Sequence, residues 1–448
     1  MNLRSDAAPP SAVSATLPDP APAAVLVGFS GGLDSSVLLH ALAQPPHYRR
    51  SGLRAVHVQH GLHADAEAWA AHCAGICATL AIPLQVLRVQ VPRDSGHGLE
   101  AAARQARRAA FAQLLAPGEW LALAQHRDDQ AETLLLRALR ASGPDGLAAM
   151  QGLRSFAHGM LWRPLLALPR SELHAYAQRH ALRWIEDPSN ADPGFDRNFL
   201  RLQVLPLLRQ RWPHAAAALA RSAQLCAEAS ALLDDGDQTA LEAVREAAAA
   251  PLSLPSLRAL PAPRRARVLR RWVVQSGLPP LPAAGLAAIE RTLLHARTDA
   301  SAQFAWHGAT LRSWRDALYA ERDPPPLPTG WQAHWDGSAP LALPDGRLLR
   351  LLGDAPRRFD APLLVRLRQG GERILLPGRM HSQALKQVLQ EHAVPPWQRA
   401  RLPLLHDATQ LLAAGERIVA APLHAWLQMR RARLALDAAA TPSSPASH

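Results

Sequence analysis

The chain has 448 residues, 48% of them hydrophobic, and a formal net charge of +12 from 49 basic and 37 acidic side chains. That length asks for two or three separately cored domains. Three cysteines (Cys73, Cys77, Cys226) are too few, and odd in number, for a disulfide framework, which points to a reducing cytoplasm. No apolar run reaches membrane-spanning length, and the basic excess points to a polyanionic partner, although a GC-rich coding sequence also favours arginine over lysine.

Residues 1–23 are rich in Ala and Pro, carry no basic head followed by an apolar segment, and read as a disordered, untargeted extension; residues 436–448 read as a similar tail. From Val25 to about Arg211 short apolar runs alternate with helical periods. Strands are expected over 25–29, 55–59, 84–91 and 120–124, so residues 24–212 read as an α/β domain with a Rossmann-like parallel sheet and crossover helices.

Ser30-Gly31-Gly32-Leu33-Asp34-Ser35 follows the first of these strands and leads into a helical stretch. Two glycines let the backbone turn tightly and bring its N–H groups to an anion. Ser35 or Ser36 is expected to cap the helix, whose unpaired N–H groups and dipole then face the loop. A polyphosphate suits that place, and the pattern S-G-G-x-D-S resembles the loop of the ATP-pyrophosphatase superfamily, which implies ATP bound by Ser30, Gly31, Gly32, Leu33, Asp34 and Ser35. The only lysine of the chain is Lys386, so the commoner loop with a phosphate-binding lysine is excluded.

In the helix expected from about Asp65, Trp69, Cys73, Ile76, Cys77 and Leu80 recur at helical spacing, so the cysteines read as core. Their gap is one residue longer than C-x-x-C, which argues against a metal or cluster site. His57 and His60 end the second strand; His60 either faces the nucleotide or is structural.

The densest polar cluster runs from Gln125 to Thr133 at the end of the fourth strand, where ligands of open α/β sheets bind. Asp129 and Glu132, three apart, share a helical face and could hold Mg²⁺ or a substrate ammonium, while His126 could relay a proton. Asp34 and Asp129 are the candidate Mg²⁺ ligands, and Asp34, His126, Asp129 and Glu132 the candidate catalytic residues. The alternative is a dipole-favoured first turn. Glu186-Asp187-Pro188-Ser189-Asn190 and Arg197 to Arg201 make a polar hairpin, a site for a zwitterion or RNA phosphates or else a capped turn.

Residues 213–322 turn alanine-rich without strand alternation and read as an all-α, basic domain. Within 255–320 ten arginines face three acids, and Arg264, Arg267 and Arg271 share a helical face, a phosphate rail or an ordinary solvated face. Four prolines between Asp323 and Gly330 mark a boundary, and residues 331–435 read as a small α+β domain.

S-G-G-L-D-S, V-Q-H-G-L-H, A-Q-H-R-D-D-Q-A-E-T, S-G-P-D-G-L-A-A-M, R-P-L-L and E-D-P-S-N-x-D-x-x-x-x-R-N-x-x-R stand in this order. With Arg368-Gln-Gly-Gly-Glu-Arg, Leu376-Pro-Gly-Arg and Val394-Pro-Pro-Trp-Gln-Arg, they resemble the tRNA(Ile)-lysidine synthase family of the PP-loop ATP-pyrophosphatase superfamily. The resemblance implies a cytoplasmic ATP-dependent ligase. It would adenylate the wobble cytidine of the CAU anticodon of tRNA(Ile), releasing pyrophosphate, and then let L-lysine displace AMP. The product, lysidine, changes decoding from AUG to AUA. Arg379 joins the rail as a candidate tRNA contact. Gln125 stands where many superfamily members carry the first histidine of a pair, which leaves any proton transfer to His126. A related thiolating enzyme, which needs reactive cysteines, and an inactive tRNA-binding protein are the competing readings.

Overall fold

The computed structural model describes residues 11–19, 21–61, 63–91, 99–245, 247, 250–295, 302–354 and 358–437. Its contacts divide it into two compact units, Met1–Gly236 and Asp237–His448.

The first unit is built on six strands: β1 (Val25–Gly28), β2 (Leu53–Gln59), β3 (Leu84–Arg88), β4 (Trp120–Ala122), β5 (Leu153–Phe156) and β6 (Gly159–Trp162). Their order is β3-β2-β1-β4-β6-β5, parallel except for β5. In β1, Val25 and Val27 pack into one core and Leu26 into another. Both faces of the strand are therefore apolar, as a parallel sheet covered by helices requires. Each such fully buried aliphatic side chain contributes roughly 1.5–3 kcal/mol. The chain leaves β1 towards β2 on one side, and β4 continues to β6 on the other. The loops after β1 and β4 thus flank the point where strand order reverses, the usual ligand crevice of such sheets.

The four expected strands are present with ends shifted by one to three residues. The β5–β6 hairpin was not expected. Cys73 and Cys77 are buried in the core, on the helix Ala66–Thr79. The described part of the expected extension is ordered: Ala12–Ala15 is a helical turn, Val13 is buried, and the Tyr48 hydroxyl donates to Pro18 O at 2.9 Å. An apolar anchor inside an otherwise polar, proline-rich stretch holds it down. Residues 1–10 and 438–448 of the expected extension and tail lie outside the described residues.

In the second unit the helices Leu254–Ala259, Ala262–Gln275 and Ala283–Ala288 form the expected helical region. They share a core, including Trp272, Trp306 and Leu311, with a sheet the sequence reading did not contain: β7 (Leu252–Ser253), β8 (Gln303–Trp306), β9 (Ala309–Trp314) and β10 (Ala317–Arg322), all antiparallel. The region is therefore helical with a sheet rather than all-α. Beyond it, Leu341–Ala342 and Leu348–Leu352 pair about the expected turn at 344–346, joined by Arg433–Asp437. A seven-stranded sheet carries the helix Leu385–Glu391.

Candidate active site

After β1 the chain turns at Gly31, whose φ of +83° belongs to the left-handed region. A Cβ there would lie 2.8 Å from Ile185 Cδ1 and 2.9 Å from Cys73 Sγ, so glycine is required by conformation and by space. The helix Leu33–Ala43 starts earlier than expected, with Gly32 as N-cap and no side-chain cap. Ser35 and Ser36 thus sit in its first turn, and their hydroxyls donate back to Gly32 O at 3.0 Å and Gly31 O at 3.4 Å. Ser30 Oγ is 3.0 Å from Ser35 Oγ, and Ile185 N donates to Gly31 O at 2.9 Å. The loop is pinned by side chains and by the irregular segment that follows the helix Arg170–Arg179. Its first-turn N–H groups have no intrahelical acceptor and remain for an anion.

Across the crevice, His126 is the N-cap of the helix Arg127–Ala138, and its backbone N donates to Asp129 Oδ2 at 3.0 Å. Its ring is 1% exposed. Nε2 lies 3.6 Å from Asp34 Oδ2 and 3.5 Å from Asp129 Oδ2, and Nδ1 lies 3.6 Å from Asp128 Oδ2. Burial pulls the imidazole pKa down, but the Asp34 carboxylate and the charges of Asp129 and Asp128 outweigh it and hold the group above its ordinary value. The loop after β1 and the cluster after β4 are thereby joined through one histidine.

The carboxylates are in turn held by arginines. Glu132 is fully buried, with Oε1 2.7 Å from Arg201 Nε and Oε2 2.7 Å from Arg197 Nε. Both guanidiniums reach Asp129 Oδ1 at 3.2 Å. Glu132 therefore positions Arg197 and Arg201, which engage both of its oxygens. Asp128 accepts from Arg170 N at 2.9 Å and pairs with Arg209. Asp34 is the exception: its Oδ1 is 3.8 Å from Arg170 Nε, and this buried oxygen has no hydrogen-bond partner.

Gln125 accepts from Arg163 Nε at 3.0 Å. His57 ties β2 to the loop through Phe29 O at 3.0 Å. His60 carries a buried Nδ1 without partner, and burial, then Arg107 and His57, lower its pKa; Leu62 beside it lies outside the described residues. Asp187 caps the turn Pro188–Ala191 by accepting from Ser189 N at 2.9 Å. A cleft of about 380 Å³ opens beside Leu33, lined by Arg170, Ser171, His174, Trp184 and Glu186. Burial pushes the Cys73 thiol up to about 12 and Cys77 up to about 11, so neither is a reactive thiolate.

Of the expected residues, the fold brings Ser30 to Ser35, His126, Asp129 and Glu132 to one crevice. Arg264, Arg267, Arg271 and Arg379 belong to the second unit. Asp237, 1% exposed, accepts from Arg264 Nη1 at 2.6 Å and pairs with Arg267. Arg271 Nη1 is 3.4 Å from Gln238 Oε1, and Arg379 is exposed in a turn. The sequence reading left the roles of Arg197 and Arg201 open. Their spacing of four residues, against the spacing of three between Asp129 and Glu132, was the available signal for two matching charged helix faces.

Residues 11–208 match the model of the PP-loop domain, 252–319 that of the TilS substrate binding domain and 363–436 that of the TilS substrate C-terminal domain. Over 432 residues the chain is 59% identical to the tRNA(Ile)-lysidine synthase of Xanthomonas axonopodis pv. citri (strain 306), covering 96% of this chain and 98% of the relative. The chain belongs to the tRNA(Ile)-lysidine synthase family. Another member, from Xylella fastidiosa (strain 9a5c), is 54% identical over 421 residues, covering 93% and 96% of the two chains. Among solved structures, the U34-tRNA thiolase NcsA from Methanococcus maripaludis aligns at 18% identity with a TM-score of 0.39, over 48% of this chain and 76% of that one. Within the family, the phosphate loop and the clasped carboxylates of this chain form one crevice at the reversal of sheet order.

Proposed function

We propose that this chain, in the cytoplasm, ligates L-lysine to the wobble cytidine of the CAU anticodon of tRNA(Ile), converting ATP to AMP and pyrophosphate and giving lysidine. The observation that carries the reading is the junction at His126, which links the anion-binding corner after β1 to the acidic cluster after β4.

The cytidine carbonyl oxygen attacks the α-phosphorus of ATP, and the bond to the β-phosphate oxygen breaks. Backbone N–H groups at Gly32 to Ser35 receive the departing pyrophosphate. His126, whose protonated form three carboxylates favour, is placed to offset charge developing on the phosphate. A lysine amine then attacks the activated ring carbon, the bond to the adenylated oxygen breaks, AMP leaves, and the amine gives up its proton. The cleft beside Leu33, with Arg170 and Glu186 in its lining, offers the two opposite charges that a zwitterionic amino acid needs. Arg264, Arg267, Arg271 and Arg379 serve as tRNA contacts of the second unit.

Mg²⁺ fits Asp34, whose orphaned buried oxygen is available, together with phosphate oxygens of the nucleotide. Asp129, also expected as a ligand, already accepts from two arginines and a backbone N–H, so it joins only by giving one of these up. When bound, the ion supplies charge neutralisation on the phosphates. Among the described residues no three His, Cys, Asp or Glu side chains form a metal cage.

The test is to incubate the full chain with ATP, Mg²⁺, lysine and CAU-anticodon tRNA, and to read AMP, pyrophosphate and the mass of the wobble nucleotide. One lysine added per tRNA is expected. Sulfur entering the tRNA with lysine-independent AMP formation would establish thiolation instead, and tRNA binding without nucleotide turnover would establish a binding protein.

A further inference from the structure

A second set of arginines lies in the first unit, away from the carboxylates. Arg107 and Arg108 project from the helix Leu99–Leu114 and are exposed; Arg154 lies on β5 and is half-buried. Among the described residues no carboxylate is within ion-pair distance of Arg107, Arg108 or Arg154. Arg108 stacks over the Phe156 ring at 5.4 Å, which places it against the end of β5.

Beneath them two further guanidiniums are fixed by backbone carbonyls rather than by acids. Arg137 Nη1 donates to Gly146 O at 2.6 Å and Ala149 O at 2.9 Å. Arg163, 8% exposed, donates from Nη1 to Gln151 O at 2.8 Å and from Nε to Gln125 Oε1 at 3.0 Å. Burial, then the nearby Arg154, Arg104, Arg108 and Arg137, lower Arg163 to about 10. Arg154 is likewise lowered by burial and then by Arg108, Arg137 and Arg104. Like charges held together at a sheet edge are kept only at a cost to stability, and an anion relieves it.

The patch also has a direction. Gln125, which holds Arg163, precedes His126; Arg107 lowers the pKa of His60, just past the end of β2, and is itself lowered by burial, then by Arg104 and by Arg197 of the carboxylate clasp. The arginines therefore run from the β5 edge of the sheet up to the crevice. Guanidiniums bind phosphate bidentately, and a row of them suits a repeating phosphate chain better than a single small anion.

We propose that Arg107, Arg108 and Arg154 bind consecutive backbone phosphates of the RNA strand next to the reacting base, over a floor made positive by Arg137 and Arg163. This rests on the reading that the substrate is a tRNA. It places an RNA contact on the catalytic unit itself, separate from the arginines of the second unit.

The experiment compares the full chain with the triple variant Arg107→Gln/Arg108→Gln/Arg154→Gln and with the matching triple Lys variant. Affinity for CAU-anticodon tRNA is measured across a salt series, and binding of an ATP analogue checks the fold. The Gln variant is expected to lose at least tenfold in tRNA affinity near physiological salt, and its slope of log affinity against log salt should shrink by about 2 to 3, at roughly 0.7–0.9 per lost phosphate contact. The Lys variant, keeping charge but not the bidentate fork, should recover most of the slope. Unchanged tRNA affinity and slope in a Gln variant that still binds the ATP analogue would overturn the proposal and leave lysidine formation by the unmodified chain untouched. Absence of lysidine from the unmodified chain would instead remove the reading on which it rests.

Discussion

Each unit buries one acid between two arginines, and the two places behave differently. In the second unit Asp237 is engaged by Arg264 and Arg267 on separate oxygens, and among the described residues no histidine pairs with it. In the first, Glu132 holds Arg197 and Arg201, but these arginines also reach Asp129, which lies 3.5 Å from a buried histidine that touches a carboxylate with an unsatisfied oxygen. The first clasp is one stage of a chain of charges ending at an open corner. Burial of an ion pair thus says little about function; what sets the first clasp apart is the buried histidine and the open carboxylate oxygen beyond it.

Removing the acid at either clasp sharpens that contrast most. Glu132→Gln and Asp237→Asn should each cost about 3–5 kcal/mol of unfolding free energy, because an uncompensated charge stays buried. Chemical denaturation checks the size, and AMP formation separates the two: in the folded variants it should fall steeply for Glu132→Gln and hold for Asp237→Asn. Equal turnover would erase the distinction.

Asp34→Ala comes next, with an expected loss of about 10²–10³-fold in ATP turnover, the range for removal of one group that stabilises transition-state charge, while tRNA affinity persists in a filter-binding assay. Gly31→Ala should cost about 1–2 kcal/mol from the left-handed backbone alone, with more from the clash with Ile185 and Cys73, and should weaken ATP binding. In the second unit, neutralising Arg264, Arg267 and Arg271 together should weaken tRNA binding and flatten its salt dependence. It should also lower thermal stability, since Asp237 is left unpaired, a loss not expected for the Arg107, Arg108 and Arg154 variant.

The smallest effect is a pH dependence at His126. Its folded pKa is raised above 6.5, so the charged ring contributes stability that is fully present below 6.5 and is lost as pH rises through the folded value. The stability difference between wild type and His126→Gln should therefore shrink with rising pH over that window; a constant difference would mean that the ring stays neutral.

Much of this was legible in the chain. The phosphate loop and the β1, β2 and β4 strands follow from local signals: glycine placement, apolar runs and helix starts. What escaped was non-local or masked by composition. Arg197 and Arg201 meet Glu132 across 65 and 69 residues, a distance at which spacing rules say nothing. The sheet of the second unit is two tight hairpins whose alternation is diluted by alanine and arginine. Their turns are His307-Gly308, with φ of 43° and 73°, and Arg315-Asp316, with φ of 52° at Arg315; of these four residues only Gly308 is a strong turn signal in the sequence. Linear charge counting is blind to pairing in a related way. The richest arginine run contains two guanidiniums committed to Asp237, while Arg107, Arg108 and Arg154, scattered over some fifty residues of sequence, have no such acid among the described residues.

The nucleotide corner grows out of β1, the strand with a parallel neighbour on each side and Val25, Leu26 and Val27 at most 1% exposed. Its amides should exchange with solvent only when the whole first unit opens, because no smaller rearrangement frees a strand paired along both edges. Loss of ATP binding on heating would therefore track global melting of that unit, and a nucleotide analogue would serve as a thermometer for its integrity.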